Sequence, residues 1–227
     1  MMRIDIISAV PELLVSPLNV SIVKRSQDKG IVEIVVHNLR DYAFDKHRQI
    51  DDKPFGGGPG MLLKPEPFFE CIEKLQGERK YDHIIFTTPM GKIFDQKEAN
   101  RFSLANNILI IAGHYKGVDD RVREHFVTDE ISIGNFVLSG GELPALMVVD
   151  AVVRLIPGVL NDSESALQDS FMDGEYIEAP FYTRPAEYRG IKVPEVLLSG
   201  HDKKIKDWKE EQSKSLTEKW KNINSVE

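Results

Sequence analysis

Three glycine-bearing segments carry residues through which a polypeptide backbone can hold a small ligand. They are Thr-Thr-Pro-Met-Gly at 87–91, Gly-His-Tyr-Lys-Gly at 113–117 and Leu-Ser-Gly-Gly-Glu-Leu-Pro-Ala at 138–145. Each follows an apolar run that reads as a strand, and open parallel sheets gather their ligands at the carboxyl ends of strands. Glycine lets a flat group approach the main chain, whose N–H and C=O groups can then hydrogen-bond it. An adenine or similar ring suits that chemistry. No G-x-G-x-x-G fingerprint with its downstream acidic residue and no Walker lysine is present to name the ligand. For any one segment taken alone, a simple turn of the chain is the competing reading.

Other reactive types are sparse or ambiguous. Asp-Asp-Lys-Pro-Phe-Gly-Gly-Gly-Pro-Gly-Met at 51–61 offers successive amides that can cradle an anion, although a plain flexible loop has the same composition. Lys46, His47, Arg48 and Lys53 add positive charge nearby, and lysines recur along the C-terminal segment. All are candidate phosphate contacts, with solvated surface as the alternative. The single cysteine, Cys71, excludes an intrachain disulfide and an all-cysteine zinc site; within PFFECIEKL it reads as a small buried hydrophobe. The six histidines form no metal-ligand motif with the carboxylates, so no metal ligand is assigned.

The elements that must position these loops follow from periodicity. Arg3–Ser8, Ile31–Val36, 83–88 and 108–113 read as strands, and the apolar run within 132–138 as another that breaks on Gly140-Gly141. Helical spacing covers Pro11–Asp28, Pro65–Leu75, Gln96–Phe102 and Glu142–Ile156. Alternation of the two implies an α/β fold, a mainly parallel sheet with helices on both faces. The segment 142–156 is apolar on nearly every side, which points to burial against the sheet or a second subunit. Residues 161–170 are polar and turn-rich and read as a linker. Beyond it, Ile205, Trp208, Gln212, Leu216 and Trp220 share one helical stripe, predicting a small, mainly helical domain over 171–227 after a first domain of 1–160.

Bulk properties set outer limits. The chain has 227 residues, 41% hydrophobic and 29% charged, which accommodates one sizeable core and a small appended domain. Its net charge of −7 argues against non-specific nucleic-acid binding unless basic residues are locally concentrated. No apolar run approaches a membrane span, and MMRIDIISAVPELL lacks a signal peptide's apolar core. The expected location is cytoplasmic.

Taken together, IGNFVLSGGELPA, GHYKGVDDRV, DDKPFGGGPGM, DSF (169–171), YTRP (182–185) and VLLSG (196–200) closely resemble the bacterial tRNA (guanine-37-N1)-methyltransferases of the SPOUT superfamily. The resemblance runs in order through essentially the whole chain. It implies a deep trefoil knot that binds S-adenosylmethionine, a C-terminal domain that binds tRNA bearing guanosine at position 37, and a homodimer with shared active sites. DNA and membranes are not expected partners.

The resemblance also implies residue roles. The cofactor would be held by Thr87, Thr88, Pro89 and Gly91 of the first loop and by Gly113 and Tyr115 of the second. In the third, Ser132, Ile133, Gly134, Asn135, Phe136, Val137 and Leu138 precede Gly140 and Gly141. Asp169 matches the family's general base and Arg154 the residue that supports developing charge or orients the substrate. Without the resemblance, Asp169 reads as a solvated carboxylate and Arg154 as a partner of a helix dipole. Lys116 departs from the glutamate common at that position, and His114 from a frequent arginine. A protonated lysine does not ligate Mg²⁺, so Mg²⁺ dependence through the usual ligands is in doubt. Two other functions fit the same motifs: an RNA-binding module that holds the cofactor without turnover, and a SPOUT methyltransferase of ribosomal RNA.

Overall fold

Five short, β-branched runs pair side by side into one parallel sheet. The elements were taken from a computed structural model describing residues 1–160, 169–172 and 174–224. In chain order they are β1 (Met2–Ser8), α1 (Glu12–Leu18), α2 (Ser21–Asp28), β2 (Val32–Asn38), a 3-10 turn at Leu39–Tyr42, β3 (Asp51–Asp52), β4 (Leu62–Leu63), α3 (Pro65–Glu78) and β5 (His83–Ile93). There follow α4 (Gln96–Ser103), β6 (Asn107–Ala112), α5 (Asp120–Phe126), β7 (Asp129–Ser132) and α6 (Glu142–Val153). The strand order is β2-β1-β6-β5-β7, and β3 pairs antiparallel with β4 as a separate hairpin.

Side chains alternate across the sheet with the period of two that strands impose. Ile4 and Ile6 of β1 and Ile108 and Ile110 of β6 face a core completed by α1, α2, α4 and α6. Ile7, Leu109 and Ile111 face the opposite core, built with α3 and α5. Helices therefore cover both faces, as expected for a buried parallel sheet. Cys71 lies in the second core, where burial pushes its thiol up to about 12. It is packing material, not a nucleophile.

Three elements differ from the sequence reading. The expected helix Pro11–Asp28 is two helices, because the Asn19 side chain donates to the Val15 carbonyl at 2.7 Å and Val20 is extended. Segment 87–91 is not a loop after a strand but the irregular middle of β5, whose register against β7 shifts between Thr87 and Lys92. Pro89, which lacks an N–H, and the exposed Met90 stand out there. The strand read into 132–138 ends at Ser132, and the segment continues irregularly to an isolated bridge between Gly140 and His114.

The chain divides into two units, Met1–Asn161 and Asp162–Glu227. Residues 161–168 of the expected linker lie outside the described residues. The second unit contains a hairpin of β8 (Glu187–Tyr188) and β9 (Ile191–Lys192), the short α7 (Glu195–Leu198) and the long α8 (Asp202–Asn224). The hairpin is a detail the helical expectation omitted. Ile205, Trp208, Gln212, Leu216 and Trp220 all share the less exposed side of α8.

One polar group sits in the middle of the sheet. Asp5 on β1 is fully buried and accepts hydrogen bonds from Arg3, His37 and Tyr81 at 2.7 to 2.9 Å. Burial alone would raise its carboxyl, but these donors outweigh it and hold it near 2 rather than the ordinary 3.8. Since the folded-state value is depressed, the stabilisation is complete above the unfolded value and disappears as pH falls toward 2. Asp5→Asn is expected to cost about 2 kcal/mol at pH 7. It should also flatten the loss of stability between about pH 4 and 2. Urea denaturation of both proteins across that range checks both statements.

Candidate functional site

The irregular middle of β5 and the carboxyl ends of β6 and β7 meet the start of α6 around a cavity of about 430 Å³, within the size range of small-molecule sites. Thr87, Thr88, Pro89, Gly113, Tyr115, Ser132, Ile133, Gly134, Phe136, Val137, Leu138, Gly140 and Gly141 all line it. Of the residues expected at the cofactor, Gly91 and Asn135 do not. Gly91 instead serves the sheet. A Cβ there would strike the main chain of Ile131 and Glu130, so glycine is what lets irregular β5 lie against β7.

Close backbone approach builds the cavity. Gly141 donates its N–H to the Gly113 carbonyl at 2.6 Å. A Cβ on Gly141 would lie 2.8 Å from the Gly113 nitrogen and 3.0 Å from the Ala112 Cα, and would collide with Thr87 Oγ1. Thr87 Oγ1, itself buried, lies within hydrogen-bond distance of the Ile111 and Gly141 carbonyls. The paired glycines thus clamp the helix start onto two strand ends. At the other wall, Ser132 Oγ bonds the backbone of Gly134, shaping the turn that presents Phe136, Val137 and Leu138.

Several wall residues escaped the sequence reading. Asp120 and Arg123 reach the cavity from α5, the helix immediately after the 113–117 loop. Arg123 is engaged with Asp120 and Glu130, and these hydrogen bonds hold its guanidinium well above the ordinary arginine range. Pro144 lies within the quoted third segment, yet only the fold turns it toward the cavity. His114 and Lys116 also line it.

The glycine-rich loop between β3 and β4 is tied to the second cavity loop. Lys116 donates its N–H to Met61 O at 3.0 Å, and Leu63 donates to Gly117 O at 3.0 Å. The Lys116 stem packs so closely on Gly60 that a Cβ there would meet its Cγ at 2.8 Å. Lys46, His47, Arg48 and Lys53 are exposed on the chain leading into this loop. Among the described residues no cluster of histidine, cysteine and carboxylates could hold a metal ion.

The two expected catalytic residues stand on different units. Arg154 caps the C-terminus of α6 in the first. Asp169 belongs to the second, where its segment is pinned on α8: Ser170 Oγ accepts the Glu178 N–H at 3.1 Å, and the Phe171 ring meets Trp220 edge-on at 5.3 Å. Burial, then the nearby Asp169 charge, raises the Glu178 carboxyl. No described helix is long and apolar enough to cross a membrane.

A parallel sheet with glycine-bearing segments around a pocket is an α/β architecture, the class of fold in which ligands gather where strands end. The family model for the tRNA (guanine-1)-methyltransferase TrmD matches residues 2–223, and the chain belongs to that family. It is 58% identical over 216 residues to a tRNA (guanine-N(1)-)-methyltransferase of Bacteroides fragilis, covering 95% of this chain and 96% of that one. A protein of the same name from Chlorobaculum tepidum is 57% identical over 216 residues, covering 95% and 94%. Another from Flavobacterium psychrophilum is 58% identical over 210 residues, covering 92% and 93%.

The glycine geometry yields a paired expectation. Gly141→Ala forces main chain apart and should cost about 1–3 kcal/mol, as overpacking does. Gly77→Ala, in α3 with nothing within 4 Å, should instead stabilise by up to about 1 kcal/mol through helix propensity. Urea denaturation of the two variants beside the parent compares them directly.

Proposed function

We propose that the chain transfers a methyl group from S-adenosylmethionine to N1 of guanosine 37 in tRNA. The observation that carries this reading is the cavity itself: the expected cofactor residues from three separate segments, Gly91 and Asn135 excepted, line one space in a chain of the tRNA (guanine-1)-methyltransferase family. The donor set fits the cofactor. Gly113, Gly140 and Gly141 let the three segments close on one another without a Cβ between them and all line the cavity, while Phe136, Val137 and Leu138 offer apolar walls for a flat ring. When bound, S-adenosylmethionine supplies an electrophilic methyl group at its sulfonium.

The remaining chemistry falls to side chains. Guanine N1 carries a proton at neutral pH, and its lone pair must be freed as the new bond forms. In this reading a carboxylate oxygen of Asp169 accepts that proton, and the Arg154 guanidinium stabilises the negative charge spreading onto O6. The amides of the 53–61 loop and the cations at 46–48 and 53 receive backbone phosphates near the target nucleotide. The second unit binds the tRNA, and the target base leaves its stack to reach the pocket. Two copies complete each site. Supporting that assembly, α6 leaves Leu143 and Met147 about half exposed on a largely apolar helix whose other exposed residue is Asp150. The family resemblance further assigns a knotted path to the first unit.

Labelled S-adenosylmethionine incubated with tRNA transcripts carrying G or A at position 37 tests the reading. Transfer only to the G form is expected, and transfer to neither leaves a cofactor-holding RNA-binding module. Asp169→Ala should reduce transfer by ~10²-fold or more with cofactor affinity near that of the parent, as lost general-base catalysis requires. Equal losses in binding and rate would remove Asp169 from that role. Sedimentation at micromolar concentration should give a dimer, and Met147→Glu should shift it toward monomer by placing a charge on the apolar face. A parent protein that sediments as a monomer removes the shared site.

A further inference from the structure

Glu142 lies in the first turn of α6 with only 1% of its surface exposed. Its Oε1 accepts the Ser8 hydroxyl at 2.7 Å, and Ser8 Oγ in turn accepts the Val10 N–H at 2.9 Å. The carboxylate therefore joins α6 to the end of β1. Its other oxygen, Oε2, lies 3.5 Å from Nδ1 of His114. Both of those atoms are buried, and neither has a hydrogen-bond partner among the described residues.

Two unmet polar atoms facing each other in a buried place are an expensive arrangement unless something closes the gap. Closing it takes only a few tenths of an ångström, roughly the difference between 3.5 Å and an ordinary N–H···O distance. The gap lies between two of the glycine segments and the start of α6. His114 belongs to the second and bridges to Gly140 of the third. A Cβ on Gly140 would collide with Glu142 Oε2 and lie 2.5 Å from His114 Nδ1, so Gly140 lets the pair approach. The His114 side chain is about one-fifth exposed and lines the cavity. Since its Nδ1 edge is buried on Glu142, the cavity side belongs to the opposite edge, which carries Nε2.

We infer that Glu142 is a positioning residue that acts through His114. As the second segment settles on a ligand, Nδ1–H of His114 donates to Oε2 of Glu142. That bond fixes the ring tautomer and leaves the Nε2 lone pair as an acceptor at the cavity wall. The ligand group it suits is a hydroxyl or an ammonium, and S-adenosylmethionine carries both, on its ribose and its amino-acid end. The inference rests on the reading of this cavity as the cofactor site.

Calorimetric titration with S-adenosylmethionine and steady-state kinetics on the intact protein test it, using Glu142→Gln, His114→Ala and the double variant. Each single change should weaken cofactor binding about tenfold, and the double change no more than either alone, because both break one couple. The KM for tRNA should stay within about twofold of the parent, since the pair is assigned to cofactor and not to RNA. Losses that multiply in the double variant, or single variants that bind as the parent does, would overturn the inference. Should Glu142→Gln lose its cooperative melt, His114→Asn decides: it keeps a donor toward Oε2 but deletes the cavity-side acceptor. Parent-like melting with weakened cofactor binding supports Nε2 as the cavity-side acceptor that the inference requires, and parent-like binding rejects it. A parent protein that fails to bind S-adenosylmethionine at all is a distinct result, and it removes the site reading itself.

Discussion

The arrangement of the first unit depends on one close approach between two stretches of main chain. Gly141 N–H meets the Gly113 carbonyl at 2.6 Å, with Ala112 and Thr87 packed so tightly around Gly141 that no Cβ has room. That contact brings the start of α6 onto the middle of β5 and the end of β6. From there α6 runs back along the sheet, burying Val148, Val149, Val152 and Val153 in the core beneath it. Cavity and core are consequently one construction. The helix that seals one face of the sheet also sets the distance between the glycine segments, and a change that parts Gly141 from Gly113 acts on both.

Two of the buried carboxylates of this unit, Asp5 and Glu142, show how similar groups take different roles. Asp5 sits in mid-sheet and its oxygens are met by Arg3, His37 and Tyr81. Buried charge so fully compensated is a structural device, holding β1 against β2 through the His37 contact and against the Tyr81 segment. Glu142 lies at the strand ends, is met by Ser8 at one oxygen, and faces His114 across a gap at the other. Incomplete satisfaction beside a cavity belongs to a site that is finished by what enters it. The contrast comes from counting donors around each oxygen, since burial alone does not separate the two.

Much of this was legible because strand patterning here is strong. Runs such as Ile108–Ala112 are buried on both faces and continuous in apolar residues, which is what a central parallel strand requires. The paired glycines at 140 and 141 were also legible as a place where backbone comes close. What escaped the sequence was decided by side-chain competition within one helical turn and by tertiary contacts. A side-chain hydrogen bond from Asn19 split a helix that periodicity ran together. Thr87–Gly91 read as a loop because Pro and Gly disfavour strands, yet the neighbouring β7 pairs with the chain on both sides of them. Gly91 read as a ligand contact and is a sheet contact. Glu142 and Ser8 are 134 positions apart, so nothing local announces their bond. Asp169 and Arg154 drew attention only through family resemblance, since an acidic residue in a polar stretch and an arginine at a helix end carry no chemical signature of their own.

The link between the 53–61 loop and the cavity has a mechanical meaning under the proposed reading. Lys116 N–H to Met61 O, Leu63 N–H to Gly117 O and Asp119 N–H to Leu63 O form a strip of main-chain bonds joining the two segments. Lys116 adds its stem across Gly60. A loop so attached cannot shift independently of 113–117, the segment whose His114 faces Glu142 on its other side. Occupancy of the cavity and the posture of the glycine-rich loop then belong to one equilibrium, and a ligand that favours one posture must itself be bound more tightly by it. Glycine is what makes the loop responsive: Gly56, Gly57, Gly58 and Gly60 all adopt positive φ, where other residues would be strained, and three of them have open space around them. Lys116 is thus a packing residue of this strip as well as a charge at the cavity, and its substitution alters both properties together.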